Sequence, residues 1–196
     1  NYSISKRIDA EELALAHSNL LITSTKQESD EQYARYGRFS SKNVEIIPPG
    51  VDLNRFYSTD LNLNEEEKEL NKLFTPFLRD INLPPLLAIS RAVRRKNIPA
   101  LIETFGRSSI LQQRHNLILI LGCREDSRQL EKQQREVFQQ VFEMIDKYNL
   151  YGKVAYPKQH KRDQIPSIYR WAACREGLFV NPALTAVSYT HLRAHE

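Results

Sequence analysis

Cysteine and long apolar runs are both scarce in this sequence. Only two of its 196 residues are Cys, Cys123 and Cys174, which is too few for a disulfide framework and lacks the spacing of metal ligands. The longest apolar run, 117–121, is far shorter than the ~20 residues that span a bilayer. These absences argue against a disulfide-stabilised secreted domain and a membrane-spanning helix. They favour a reducing compartment, so we expect a cytoplasmic protein.

A strong excess of one charge and several nucleotide-binding motifs are missing as well. The 28 Lys and Arg exceed the 24 Asp and Glu only slightly, for a net charge of +4, which does not by itself indicate a nucleic-acid partner. There is no G-x-G-x-x-G run, no Walker A pattern and no D-x-D pair. A nicotinamide-dinucleotide site, a P-loop NTPase and a metal-held nucleotide therefore all lose support.

The sequence does contain a regular alternation of short aliphatic runs and longer amphipathic stretches. The run at 117–121 is continuously apolar, which is typical of a parallel strand buried on both faces. Strands are predicted at 20–23, 44–47, 86–90, 117–121, 154–156 and 177–180, and helices at 9–17, 25–36, 98–105, 129–148 and 165–174. This order predicts an α/β fold with doubly wound, Rossmann-like parallel sheets.

A proline-rich junction interrupts this pattern. The segment Pro48-Pro49-Gly50 ends regular structure, and the polar, acidic stretch at 58–69 that follows is either a linker or the solvated start of a helix. Four parts are predicted: 1–52, the end of a first Rossmann-like domain; 53–85, an interdomain linker region; 86–185, the first half of a second such domain; and 186–196, a non-native tail. Because the chain begins without Met, we also expect it to be a piece of a longer protein.

The candidate sites are the loops at the carboxyl ends of the strands, where open parallel sheets bind their ligands. The loop after the 86–90 strand carries four cations, Arg91, Arg94, Arg95 and Lys96, just before a helix begins. Cations beside free helix amides favour an anion such as a diphosphate. A solvated basic loop is the alternative, and the spacing alone leaves both open.

Three other places hold candidates with equally plain alternatives. Gly122 permits close approach by a ligand, or simply a tight exit from its strand. In the loop at 157–163, Lys158 could face a phosphate or water, and His160 could be a base or structural. Near the N-terminus, the pair Lys6-Arg7 either holds an anionic substrate or pairs with the acids that follow it.

Taken in order, the segments of this chain resemble one family, the sucrose-phosphate synthases of cyanobacteria and plants. The resemblance extends from about residue 5 to about residue 185 and depends on many collinear segments rather than on one motif. The segments are RIDAEE at 7–12, ITSTKQE at 22–28, QY at 32–33, IPPGVD at 47–52, LAISR at 87–91, KN at 96–97, NL at 116–117, Gly122, IDKY at 145–148, YGKVAYPK at 151–158, IYR at 168–170 and FVNPAL at 179–184.

The resemblance implies a retaining glycosyltransferase of the GT-B type, with two Rossmann-like domains around a cleft. Such enzymes transfer glucose from UDP-glucose to fructose 6-phosphate, with no metal or other cofactor needed for the transfer. No nucleic-acid or membrane partner is implied. By position in the family, the site residues would be Arg91 and Lys96 for the UDP leaving group, Gly122, Lys158 and Gln159 near the nucleotide, and Lys6 and Arg7 for the acceptor phosphate.

The sequence departs from the family pattern in two places. Val93 stands where many relatives carry Asp in the run S-R-x-D-x-x-K-N, which affects the order of that loop rather than its cations. The tail at 186–196 does not follow the family, whose next segments carry the acidic pair that holds the donor sugar and ribose. The resemblance therefore implies that this chain on its own has no transferase activity.

Three alternatives remain at this stage. Another GT-B enzyme, such as a sucrose synthase, would use free fructose, whereas the basic pair Lys6-Arg7 favours a phosphorylated acceptor. A non-catalytic α/β domain could bind a polyanion through the clusters at 91–96 and 158–162, although no stacking platform accompanies them. A structural or regulatory domain without activity is the third.

Overall fold

The described residues form two units, each with a parallel sheet. The computed structural model describes residues 4–57, 64–161 and 163–184, and the units divide between Val51 and Asp52. The predicted tail at 186–196 lies outside the described residues. In those three ranges no helix is long and apolar enough to cross a membrane.

The first unit has one long helix and two short strands. Its elements are α1 at Ile4–His17, β1 at Leu21–Thr23, helical turns at Glu28–Gln32 and Tyr33–Arg35, a further turn at Ser41–Asn43, and β2 at Val44–Ile46. The strands are parallel, with Leu21 opposite Val44. A reciprocal cap follows β1: the Ser24 amide donates to the Glu28 carboxylate at 2.8 Å, and the Glu28 amide donates to the Thr25 hydroxyl at 3.1 Å. The helix predicted at 25–36 is therefore present but irregular.

The second unit carries a four-stranded sheet in which every strand is parallel to its neighbours. Its main elements are α2 at Asn64–Phe74, β3 at Pro85–Ile89, α3 at Ile98–Arg107, α4 at Ser109–Arg114, β4 at Asn116–Ile120, α5 at Lys132–Lys147, β5 at Val154–Ala155, α6 at Gln164–Ala173 and β6 at Leu178–Phe179. The strand order is β5-β4-β3-β6. The predicted α/β fold with parallel sheets is confirmed. Helix α2 begins in the stretch that the sequence left open as a linker or a helix start, and α4 was not predicted.

Helices cover both faces of this sheet, which explains why its central strands are apolar at every position. Leu117 and Leu119 of β4 face the core formed with α3 and α5, whereas Ile118 and Ile120 face the core formed with α2 and α6. All four side chains are at most 1% exposed. Burial on this scale stabilises each side chain by about 1.5–3 kcal/mol relative to exposure to water.

Residues 64–84, within the interdomain region predicted at 53–85, contribute to the second core of the sheet. They contain α2, whose Leu70 and Phe74 are fully buried against α6. The Phe74 ring lies 4.8 Å from the ring of Trp171, which donates its indole N–H to Asn71 at 2.9 Å. The three consecutive acids at 65–67 dominate the composition and mask the helical spacing of the apolar residues behind them.

Candidate functional site

The loops at the carboxyl edge of the four-stranded sheet lie side by side, because all its strands are parallel. The Ser90 amide donates to the Ile120 carbonyl at 2.9 Å, and the Arg124 amide donates to the Lys158 carbonyl at 2.8 Å. With strands ~4.8 Å apart, the loops after β3 and β5 are about 10 Å from each other. Five of the predicted site residues lie at this edge: Arg91, Lys96, Gly122, Lys158 and Gln159.

The loop after β3 has an ordered backbone and exposed cations. Ala92 is 1% exposed and belongs to the core, whereas Arg91 before it is exposed and Lys96 is half-buried. The Lys96 amide donates to the Val93 carbonyl at 2.9 Å. Asn97 follows in the left-handed region, with φ of 52°, and α3 begins at the next residue. The backbone therefore fixes where the cations stand without using their side chains.

The four cations of this loop are not equivalent. Arg94 forms an ion pair with Glu136 of α5, with Nη2 and Oε2 2.6 Å apart. Among the described residues, neither Arg91 nor Lys96 forms an ion pair within 4.0 Å. The charges of Arg91 and Lys96 are thus available to a ligand, while that of Arg94 is partly neutralised.

Gly122, two residues after the end of β4, has a backbone conformation that residues with side chains rarely adopt. Its φ is +88°, and no heavy atom beyond the glycine and its two chain neighbours lies within 4 Å of the position a Cβ would occupy. The backbone is therefore open on that side. This geometry fits both predictions for Gly122, the approach of a ligand and a tight exit from the strand.

Arg124, which was not among the predicted site residues, is buried at this edge. Its side chain donates from Nη1 to the Pro157 carbonyl at 3.1 Å and from Nη2 to the Tyr156 carbonyl at 2.9 Å. The guanidinium also stacks on the Phe138 ring, 4.4 Å from its centroid. Burial lowers the pKa of Arg124. Only its position two residues after Gly122 could have indicated this role in the sequence.

Lys158 and Gln159 are exposed on the loop after β5 and line a groove with the end of α2. Apolar and charged residues both line this groove. Its lining residues are Lys72, Leu73, Pro76, Phe77, Arg124, Glu125, Pro157, Lys158 and Gln159. The Lys158 backbone is fixed by the Arg124 amide, so its side chain projects from an ordered loop.

His160 is close to Cys123 across these two loops. The Cys123 thiol donates to the His160 carbonyl at 3.2 Å, and its Sγ is 3.9 Å from the imidazole Nδ1. Burial lowers the pKa of His160. These contacts with Cys123 support the interpretation of His160 as a structural residue. Within the three described ranges, no group of three or more His, Cys, Asp or Glu could hold a metal ion.

Lys6 and Arg7 lie on α1 in the first unit, where both are exposed. Arg7 donates from Nε to the Glu11 carboxylate at 2.9 Å, and the Tyr36 hydroxyl donates to the other oxygen of the same carboxylate. The bonds from Tyr36 and Arg7 lower the pKa of Glu11, and the Glu11 carboxylate raises the pKa of Tyr36. The pairing with following acids that the sequence left open is therefore present at Arg7.

The acids of α1 also organise the segment that faces them. Glu12 accepts hydrogen bonds from the amides of Gly37 and Arg38 at 2.7 and 2.9 Å. Together with Glu11 it ties α1 to the end of the irregular helix. These contacts form a groove lined by Arg7, Ile8, Glu11, Glu12, Gln32, Tyr33, Arg35 and Tyr36. Glu11, Glu12 and Tyr36 were missed as organising residues, although the i, i+4 spacing of Arg7 and Glu11 indicates their pair.

This fold is shared by GT-B glycosyltransferases. A glycosyltransferase from Rickettsia africae superposes with a TM-score of 0.63 at 17% identity, covering 85% of this chain and 40% of that one. The catalytic domain of starch synthase IV from Arabidopsis thaliana superposes with a TM-score of 0.59 at 17% identity, covering 89% and 36%. No protein-family model matches the chain.

Among proteins of this class, the chain is a homologue of the sucrose-phosphate synthases. It is 34% identical to sucrose-phosphate synthase 4 of Arabidopsis thaliana and 35% identical to the enzyme of Spinacia oleracea, in each case over 93% of its own length. The sucrose-phosphate synthase of Thermosynechococcus elongatus superposes with a TM-score of 0.65 at 20% identity, covering 93% of this chain and 39% of that one. The chain spans 21% and 20% of the two curated relatives' lengths.

Proposed function

We propose that the protein to which this chain belongs transfers glucose from UDP-glucose to fructose 6-phosphate in the cytoplasm, without a metal in the transfer step. The single observation that carries the proposal is sequence similarity to sucrose-phosphate synthases over 93% of the chain. The exposed cations at the carboxyl edge of the second sheet supply chemistry consistent with it. The two cysteines, both free, are consistent with a reducing compartment.

Arg91 and Lys96 are proposed to stabilise the leaving group. Cleavage of the bond to the anomeric carbon places negative charge on the UDP phosphates, and fixed cations lower the free energy of that transition state. The planar guanidinium of Arg91 can donate two parallel hydrogen bonds to phosphate oxygens, while Lys96 supplies a compact charge. Both stand just before α3, whose N-terminal amides and dipole favour an anion in the same place.

Gly122, Lys158 and Gln159 are proposed to lie along the nucleotide. The open side of Gly122 would admit a ligand close to the backbone. Lys158 and Gln159 are exposed on a loop whose backbone is bonded to the Gly122 loop through Arg124. A donor lying across this edge would therefore contact both loops at once.

Lys6 and Arg7 are proposed to contact the phosphate of the acceptor. Arg7 is oriented by Glu11, which limits the conformational freedom the side chain would lose on binding. Lys6, next to it on the exposed surface of α1, adds a second charge. A phosphorylated sugar would be favoured over free fructose by charge alone, which distinguishes this proposal from a sucrose synthase.

Calorimetric titration of the chain with UDP-glucose tests the donor half. We expect binding that weakens in Arg91→Ala and Lys96→Ala by roughly tenfold or more, the equivalent of one charge-assisted hydrogen bond. Arg94→Ala is the matched control, because Arg94 is already paired with Glu136. Equal losses in all three variants would support the alternative of a non-specific polyanion surface.

The acceptor half is tested by titration with fructose 6-phosphate and with fructose. The phosphorylated sugar should bind more tightly, and Arg7→Ala should remove the difference while Lys42→Ala, an exposed cation of the same unit, should not. Equal binding of the two sugars would favour the sucrose synthase alternative. A radiolabel transfer assay with both substrates should show no turnover by the chain alone, and turnover above background would contradict that expectation.

A further inference from the structure

Among the described residues, Arg124 is the one buried cation at the carboxyl edge, and the proposed chemistry does not use it. It is 7% exposed, whereas the other arginines of the loops after β3 and β4, Arg91, Arg94, Arg95 and Arg128, are exposed. Burying a guanidinium costs free energy unless its donors are satisfied. The burial of Arg124 therefore needs a physical explanation, and its contacts supply one.

The side-chain contacts of Arg124 join the loop after β4 to the loop after β5. Its side chain belongs to the loop after β4, but both acceptors, the carbonyls of Tyr156 and Pro157, belong to the loop after β5. The strand β5 is only two residues long, so the ladder itself gives that loop little support. The Arg124 amide adds a third bond to the same loop, at Lys158.

The surroundings of the guanidinium suit arginine in particular. Its two Nη atoms reach two consecutive carbonyls, a geometry that the planar fork satisfies and a single ammonium group does not. One face lies on the Phe138 ring at 4.4 Å. No carboxylate within 4.0 Å forms an ion pair with Arg124 among the described residues. Its charge therefore strengthens the bonds to the carbonyls rather than being neutralised by an acid.

We infer that Arg124 is a positioning residue of the nucleotide site: it fixes the loop after β5 against the loop after β4, so that Lys158 and Gln159 stand in place before a ligand arrives. The inference rests on the proposed function only for the identity of the ligand. That Arg124 fixes the loop after β5 is argued from its hydrogen bonds alone. Preorganisation of this kind raises affinity because less conformational freedom is lost on binding.

Amide hydrogen exchange without ligand tests the fixing of the loop. The amide of residue 124, which donates to the Lys158 carbonyl, should lose protection in Arg124→Met by roughly fivefold or more, and less in Arg124→Lys, which keeps a donor. The Leu117 amide, which donates to Lys153, reports on the neighbouring ladder and should keep its protection. Arg128→Met, in an exposed residue of the same connection, is the control and should change neither amide.

Titration with UDP-glucose tests the consequence for the site. The dissociation constant should rise about fivefold or more in Arg124→Met, partly recover in Arg124→Lys, and stay unchanged in Arg128→Met. If exchange at residue 124 is unaffected by Arg124→Met, or if it is affected while affinity is not, the positioning role is wrong. If the Leu117 amide also loses protection in Arg124→Met, the Arg124→Lys variant decides. Loss of protection at residue 124 alone in Arg124→Lys supports the role, and equal loss at both amides in that variant contradicts it. If the unaltered chain does not bind UDP-glucose, the proposal that this edge binds the donor is wrong, and so is the role of Arg124 in a nucleotide site. Amide exchange would still decide whether Arg124 fixes the loop after β5.

Discussion

The loops after β3 and β4 both carry arginine beside a sheet edge, and they hold it in opposite ways. Arg91, in the first loop, is exposed and free of ion pairs among the described residues, whereas Arg124, in the second, is buried and donates to two backbone carbonyls. Their local sequences do not distinguish them, since each follows a continuous apolar strand by one to a few residues. The difference comes from the neighbouring strand. The loop after β5 lies beside the loop after β4, and its carbonyls at Tyr156 and Pro157 accept hydrogen bonds from the Arg124 guanidinium.

The largest effect should come from removing the buried arginine. Arg124→Ala leaves the carbonyls of Tyr156 and Pro157 without their donor, and each unsatisfied buried group costs about 1–3 kcal/mol. We expect the free energy of unfolding to fall by about 2–4 kcal/mol, measured by urea denaturation. Arg128→Ala should change it by less than ~0.5 kcal/mol. A comparable loss in both variants would remove the contrast between the buried and exposed arginines.

A smaller effect is expected at the glycine between the strand and Arg124. Gly122→Ala places a Cβ on a residue with φ of +88°, where there is room for the carbon but a side chain strains the backbone. The cost should be about 1 kcal/mol in the free energy of unfolding. Urea denaturation measures it, with Gly50→Ala, where nothing lies near the added carbon and no positive φ is found, as the control. A cost near zero at Gly122 would mean that the strand exit tolerates a side chain.

The cations of the loop after β3 should contribute little to the free energy of unfolding. Arg94→Ala removes an ion pair whose side chains are 71% and 32% exposed, and such a pair is worth about 0.2–1 kcal/mol. Arg91→Ala removes no ion pair and should change the free energy of unfolding by less than ~0.5 kcal/mol. A loss at Arg91 as large as that at Arg124 would show that the first loop also depends on its cation for structure.

The smallest effect is a pH dependence at His160. Burial lowers the pKa of His160 below its usual 6.5, so the unfolded chain binds a proton more readily there than the folded chain does. This contribution to stability is therefore fully present above pH 6.5 and is lost as the pH falls from 6.5 through the lowered value. Denaturation at a series of pH values should show a slightly flatter profile for His160→Gln than for the unaltered chain. An identical profile would mean that His160 titrates as it does in the unfolded chain.

Much of the fold could be predicted because its signals are local. Strands such as 117–121 are continuously apolar, and the amphipathic stripe of α5 has a clear helical period. A helix was predicted at 25–36 and is present, although the π and 3-10 turns within it have no such local signature. The stretch in which α2 begins was left open as a linker or a helix start, because its acid content outweighs its helical period. The burial of Leu70 and Phe74 was not predicted.

For the candidate site, the sequence indicated the place more accurately than the roles. The rule that ligands bind at the carboxyl ends of parallel strands located five candidates at one edge, and the structure has them there. Which residues contact a ligand stays a prediction. Arg124 could not be found in this way, because its role depends on carbonyls more than thirty positions away, at Tyr156 and Pro157.

By itself, the sequence determined the fold class, the positions of the basic loops and the resemblance to sucrose-phosphate synthases, since each depends on residue types at local spacing. Only the tertiary structure decided which cations are exposed and which are buried. It paired Arg94 with Glu136, Arg7 with Glu11, and Arg124 with two carbonyls of another loop. The reason is physical: the free energy of a charge depends on its solvent and its partners, and these are assembled from distant parts of the chain.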